Sequence, residues 1–127
     1  MKNLKDIIQE RLRINKYTGN HYNYHPTSRT ELRQLIYKLI KERGNDCDLN
    51  DIDTSEITDM DMMFDGSNFN GDISEWDVSN VKSMSFMFYD SKFNGDISNW
   101  DVSKVKYMNS MFYGSPLQKN PPKWYKN

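Results

Sequence analysis

Carboxylates return at fixed intervals in this chain. Asp48, Asp72 and Asp96 form one series with a 24-residue step, and Asp53, Asp77 and Asp101 form a second. Two chemistries suit such rows: oxygen ligation of Ca²⁺, or a line of negative charge facing a basic partner. A calcium loop needs several oxygens converging from closely spaced positions. One Asp per 24 residues in each series does not supply them. The second series stands in an Asp-x-Ser setting beside a turn, where a carboxylate that accepts backbone N–H bonds as an Asx turn or helix cap is the simpler reading. The first series precedes an apolar residue. With Asn50, Ser74 and Ser98, and with Asp51, Glu75 and Asn99, it is expected on the solvent side of a strand.

Other constellations carry less. His21 and His25 in "HYNYH" are four apart, which is metal-ligand spacing on a helix. The surrounding Asn, Gly and Pro make this segment a loop with no third ligand nearby. Arg11, Arg13, Lys16, Arg29, Arg33, Lys38, Lys41 and Arg43 could hold phosphate; a solvated helix face is the simpler explanation. Cys47 is expected as a small apolar residue of the first strand. A catalytic site needs a unique, asymmetric constellation, and periodic Ser and Asp do not form one. No Gly-rich phosphate loop and no Cys-x-x-Cys occurs. No enzyme activity, cofactor or metal is expected.

The elements behind these rows come from a repeat. "FNGDISEWDVSN" begins at Phe69 and "FNGDISNWDVSK" at Phe93. The register continues through Val81, Met84, Met87, Phe88 and Tyr89, which meet Val105, Met108, Met111, Phe112 and Tyr113. A weaker copy upstream uses Asp48, Leu49, Ile52, Asp53, Ile57, Met60, Met63 and Phe64. Leu117 and Trp124 begin a truncated fourth. Within a unit, "GDISEW" predicts a short strand leading into a turn, and Val81, Met84, Met87 and Phe88 predict one face of a helical turn. One unit cannot bury both of its faces, so units must stack. Each apolar slot then becomes a column: Trp76, Trp100 and Trp124 behind Ile52; Met60, Met84 and Met108; Phe64, Phe88 and Phe112.

The pattern FNGDISxWDVSxVKxMxxMFYxS resembles the repeat of the BspA-like leucine-rich-repeat surface proteins, over about residues 45–116. The resemblance implies a leucine-rich-repeat solenoid and a role in binding macromolecules, often as an exported adhesin.

Both ends of such a stack need covers. "SRTELRQLIYKLIKERG" predicts a helix with a capping box at Ser28 and Glu31, an apolar face of Leu32, Leu35, Ile36, Leu39 and Ile40, and a stop at Gly44. An earlier helix is predicted over about residues 2–14. Pro121 and Pro122 cannot extend a ladder at an interior position, so the tail is expected to close the stack.

Hydrophobic residues make up only 36% of the chain, but three Trp, eight Tyr, six Phe and eight Met can build a core, since each buried aromatic removes roughly 150–250 Å² from water. Residues 1–43 carry a net charge of +6 and residues 44–127 a net −7. The fold expected is α+β: a short right-handed solenoid of three rungs (45–68, 69–92, 93–116), a helical cap over 1–44, and a truncated repeat over 117–127. The function expected is a protein-interaction module. Its candidate contacts are Asp48, Asp51, Asp72, Ser74, Glu75, Asp96, Ser98 and Asn99, helped by Tyr89 and Tyr113. The partner would be a protein with a basic or nucleic-acid-binding surface. Direct nucleic-acid binding is not expected, and the chain would be a monomer or weak homo-oligomer. Two alternatives are a small inhibitor that blocks a defence nuclease with its acidic surface, and a fragment of a surface adhesin. The charged start "MKNLKDIIQERLRI" has no apolar run, so no signal peptide or membrane span is expected and the location expected is cytoplasmic.

Overall fold

The computed structural model describes residues 14, 15, 17–19 and 21–126. The predicted first helix lies outside these, except for Ile14, which pairs with His21 in an antiparallel bridge. Helix α1 spans Arg29–Arg43. Ser28 starts it by accepting the Glu31 N–H at 3.1 Å. The Glu31 carboxylate reaches back to the N–H and hydroxyl of Thr27, one residue before the cap. Gly44, at φ 93°, stops the helix and donates its N–H to Ile40 O. Leu32, Ile36 and Leu39 are buried on the face turned to the core.

Beyond α1 the chain winds in 24-residue coils whose apolar slots lie over one another. The rings of Trp76 and Trp100 are 6.5 Å apart and those of Trp100 and Trp124 6.3 Å apart, both near parallel. Phe64, Phe88 and Phe112 stack at 5.5 and 5.7 Å, and Phe69 lies over Phe93 at 6.1 Å. Each indole also ties coil to coil, because its N–H would be costly to bury unpaired. Trp76 Nε1 donates to Leu49 O, Trp100 Nε1 to Ile73 O and Trp124 Nε1 to Ile97 O, at 2.8–3.1 Å.

The backbone joins the coils by a ladder in which donors and acceptors segregate. The N–H groups of Met60, Met62, Phe64 and Gly66 donate to the carbonyls of Ser83, Ser85, Met87 and Tyr89. Those of Met84, Phe86, Phe88 and Asp90 donate in turn to Tyr107, Asn109, Met111 and Tyr113. Every bond of these two sets points the same way along the stack. Two slots per coil take positive φ: Met62, Phe86 and Ser110 at 51–57°, and Gly66, Asp90 and Gly114 at 50–74°.

Two local expectations need correction. The predicted helical turn at Val81, Met84, Met87 and Phe88 is absent. The N–H groups of Met84, Phe86 and Phe88 leave for the next coil, and successive tight turns take its place: Val81 N–H to Val78 O, Met87 to Met84 O, Ser91 to Phe88 O. Turns closing at i+3 bury the same residues that a helix face would. The predicted strand over "GDISEW" shrinks to a parallel bridge between Asp48 and Asp72, since the chain folds back at once through Trp76 N–H to Ile73 O. Among the described residues the regular elements are α1 and a 3₁₀ turn at Pro116–Gln118. That turn seats the buried Leu117.

Candidate interaction surface

Each Asp of both series builds an Asx turn. Oδ1 of Asp48, Asp72 and Asp96 accepts the N–H of Asn50, Ser74 and Ser98 at 2.7–3.0 Å. Oδ1 of Asp53, Asp77 and Asp101 does the same for Ser55, Ser79 and Ser103. The second series therefore behaves as its Asp-x-Ser setting predicts, and the first shares the device. In the first series the hydroxyls of Ser74 and Ser98 also donate to Asp72 and Asp96. Those hydroxyl bonds, with the backbone N–H, hold both carboxyls below the usual range.

The ten candidate residues fall into three places. Asp48, Asp51 and Glu75 line a cleft of about 200 Å³, together with Asn15, His21 and Arg43. Asp72 with Ser74, and Asp96 with Ser98 and Asn99, repeat the same turn on the next two coils. Asp72, Asp96, Ser98 and Asn99 are exposed and Ser74 half-buried. Tyr89 and Tyr113 stack at 5.4 Å on the run after the Met ladder, where Phe86 meets Tyr89 edge-on at 5.6 Å.

Asp51 is engaged within the chain. Arg43 grips both of its oxygens at 3.0 and 2.9 Å, and Asn23 Nδ2 adds a third bond at 2.9 Å. Arg43 also lies over the Tyr24 ring. Burial alone would push the Asp51 carboxyl up; the bonds from Arg43 and Asn23 and the guanidinium charge outweigh it and hold it low. A carboxyl lowered in the folded state contributes stability above its unfolded pKa of about 3.9 and loses that contribution as pH falls through the native value. Asp51→Asn should therefore be less stable than the parent by about 1 kcal/mol at pH 7. In urea melts at stepped pH that gap should narrow progressively as pH falls below about 3.9; a gap of unchanged size at pH 2 would contradict the pairing.

Several of the other candidate residues are engaged within the chain. Arg29 Nε donates to Asp61 O and Arg33 Nη1 to Met62 O, so with Arg43 three of the basic residues are engaged internally. Arg11, Arg13 and Lys16 lie outside the described residues. The "HYNYH" loop docks on the first coil, with Asn23 N–H on Asp51 O and Asp53 N–H on Tyr24 O. Tyr22 is buried, and His25 Nδ1 sits 3.5 Å from Asp53. Among the described residues no group of three or more His, Cys, Asp or Glu could hold a metal. Cys47 is half-buried, and burial pushes its thiol up.

Met62 and Phe86 are exposed although apolar, at 42% and 39%, and belong to none of the predicted columns. A signal was available. Their slot reads Met, Phe, Ser in successive copies, and a slot without common chemistry between buried neighbours marks a surface position.

A family model described as "Mycoplasma protein of unknown function, DUF285" matches residues 30–126. The chain belongs to that family, which is related to the BspA-like surface repeats. No curated protein and no solved structure matches it. No helix among the described residues is long and apolar enough to cross a membrane.

Proposed function

We propose that this DUF285 protein is a non-enzymatic protein-interaction module, built as a short right-handed leucine-rich-repeat-like solenoid. Its partner docks on the polar, acidic face that carries Asp72, Ser74, Glu75, Asp96, Ser98 and Asn99. Tyr89 and Tyr113 add aromatic anchors, a residue type enriched at binding hot spots. The observation that carries this reading is the pair of exposed carboxylates, Asp72 and Asp96, fixed in identical turns one coil apart and kept ionised by their serines. A rigid row of charge loses little freedom when a basic surface meets it.

The test is affinity capture of partners by the parent and by an Asp72→Asn, Asp96→Asn, Tyr113→Ala variant, with circular dichroism to verify the fold. A partner held by the parent and lost by the variant supports the reading; identical captured sets would sink it. Salt separates this reading from acidic-surface blockade of a nucleic-acid groove. Residues 44–101 carry fourteen acids against two lysines, so a complex held by charge alone should dissociate steeply between 0.1 and 1 M salt, where the screening length falls from about 10 to about 3 Å.

A further inference from the structure

Three side chains on the outer turns of the coils sit in backbone conformations that favour glycine. Met62 and Phe86 occupy one slot of successive coils, both at φ 57°. Bulky residues are rare in that left-handed region, where a Cβ crowds the backbone. Neither side chain is buried in exchange, since both are exposed. Asp90, at φ 50°, stands in a slot that Gly66 and Gly114 fill in the coils on either side. Its carboxylate lies against Gly114, where a Cβ would come within 2.1 Å of Oδ1. Folding alone favours a smaller residue at all three places, so what these side chains supply is a surface.

That surface is a ridge across the three coils. Phe86 meets Tyr89 edge-on at 5.6 Å, and Tyr89 stacks on Tyr113 at 5.4 Å. Asp65 holds the slot of Tyr89 and Tyr113 in the first coil and, like Asp90, is exposed. The backbone N–H of each of these six residues is bonded within the chain, that of Met62 to Ser85 O and that of Phe86 to Asn109 O among them. The ridge therefore offers side chains and leaves no N–H for an added strand. Its charge is one-sided. Arg33, the cation beside Met62, is engaged on the Met62 carbonyl, and residues 44–101 carry fourteen acids against two lysines.

We infer that this ridge is the docking site for a basic amphipathic helix of a partner protein. A helix satisfies its own backbone bonds, as this surface requires. It also rises about 5.4 Å per turn, which matches the 5.4 Å between the Tyr89 and Tyr113 rings. A helix laid along the stack therefore advances one turn per coil. Its apolar stripe packs on Met62, Phe86 and the two tyrosines, as in other cases of a helix received by an apolar surface. Its lysines or arginines face Asp65 and Asp90. The phosphates of a nucleic acid would meet those carboxylates with like charge. The inference shares Tyr89 and Tyr113 with the face proposed above and does not rest on Asp72 or Asp96, so either assignment can fail alone.

The test is a ¹⁵N-detected titration of the full chain with a synthetic leucine–lysine peptide whose leucines fall on one helical face. Two peptides serve as controls: the same residues in an order that scatters the leucines around the helix, and the patterned peptide with glutamate in place of lysine. The amides of Met62, Phe86, Tyr89 and Asp90 are expected to shift with the patterned basic peptide and with neither control. Met62→Ser with Phe86→Ser, which copies Ser110 of the third coil, should stay folded and weaken binding about tenfold or more. Asp90→Gly, which copies Gly66 and Gly114, should stay folded and weaken it about threefold. Asp72→Asn should leave it unchanged. No shift at these amides overturns the inference, and so does undiminished binding by the double-serine variant; if that variant fails to fold, undiminished binding by Asp90→Gly overturns it instead. Equal shifts with the scattered peptide overturn it in favour of charge attraction alone. Shifts that grow with protein concentration in the absence of peptide overturn it in favour of a second copy on the ridge.

Discussion

Gly71→Ala is expected to lower stability by about 3 kcal/mol. A Cβ at residue 71 would lie 1.8 Å from the carbonyl oxygen of Cys47 and 2.8 Å from its carbonyl carbon. Both are backbone atoms of the preceding coil, and that carbonyl accepts the Asp72 N–H. Relief therefore requires the coils to part and the bond to lengthen. The next glycine in the same slot gives an internal control. At Gly95 the new Cβ would meet the Phe93 ring at 2.6 Å, while the backbone of the preceding coil, Gly71 O, stays 3.4 Å away. A ring can tilt, so Gly95→Ala should cost about 1–2 kcal/mol. Urea melts of both variants decide the matter. Equal losses, or a Gly71→Ala protein as stable as the parent, would show that the coils are not in this close contact. The slot also explains the lone cysteine. Cys47 holds the same position in the first coil, where no earlier coil presses on it among the described residues, and a side chain is tolerated there.

Trp100→Ala should cost about 3–5 kcal/mol. The ring is sandwiched between Trp76 and Trp124 and is also met by Phe88 at 6.4 Å. Its removal leaves a void in the middle of the column and takes from Ile73 O one of its two donors, the other being the Trp76 N–H. Trp100→Phe separates the two losses. The aromatic body remains while the N–H goes, and the cost should fall to about 1 kcal/mol, that of one hydrogen bond, because Ile73 O keeps the Trp76 N–H. Trp124→Ala, at the half-buried end of the same column, should cost less than Trp100→Ala. Thermal melts of the three variants test the ranking. A Trp124 variant that loses more than the Trp100 variant would contradict the stacked arrangement.

The columns were legible because buried slots must be refilled by the same kind of side chain in every coil. Trp76 predicts Trp100 on sequence alone, and so do Phe64 and Phe88. The local conformation was less legible. Val81, Met84 and Met87 step by three, which suits both a helical turn and a chain of tight turns. What decides between them is where the N–H of Met84 goes, and its partner, Tyr107 O, lies 23 residues away. The acidic turns were half legible. The sequence marks Asp72 and Asp96 as equivalent, and the structure adds that their first task is to close their own turns. The Arg43–Asp51 pair was hidden because it crosses the helix stop at Gly44, beyond the reach of a helical-spacing argument.

The repetition of the inter-coil bonds from one coil to the next bears on how such a protein can change over generations. A middle coil takes in on one side the pattern it hands on at the other, so it is interchangeable with its neighbour. Recombination between the two near-identical "FNGDIS" segments would add or drop one whole coil in frame and leave both termini of the pile as they are. Chain length in this lineage is thereby free to move in steps of 24 codons, whereas a slip by a single codon would set tryptophan above aspartate throughout the affected column.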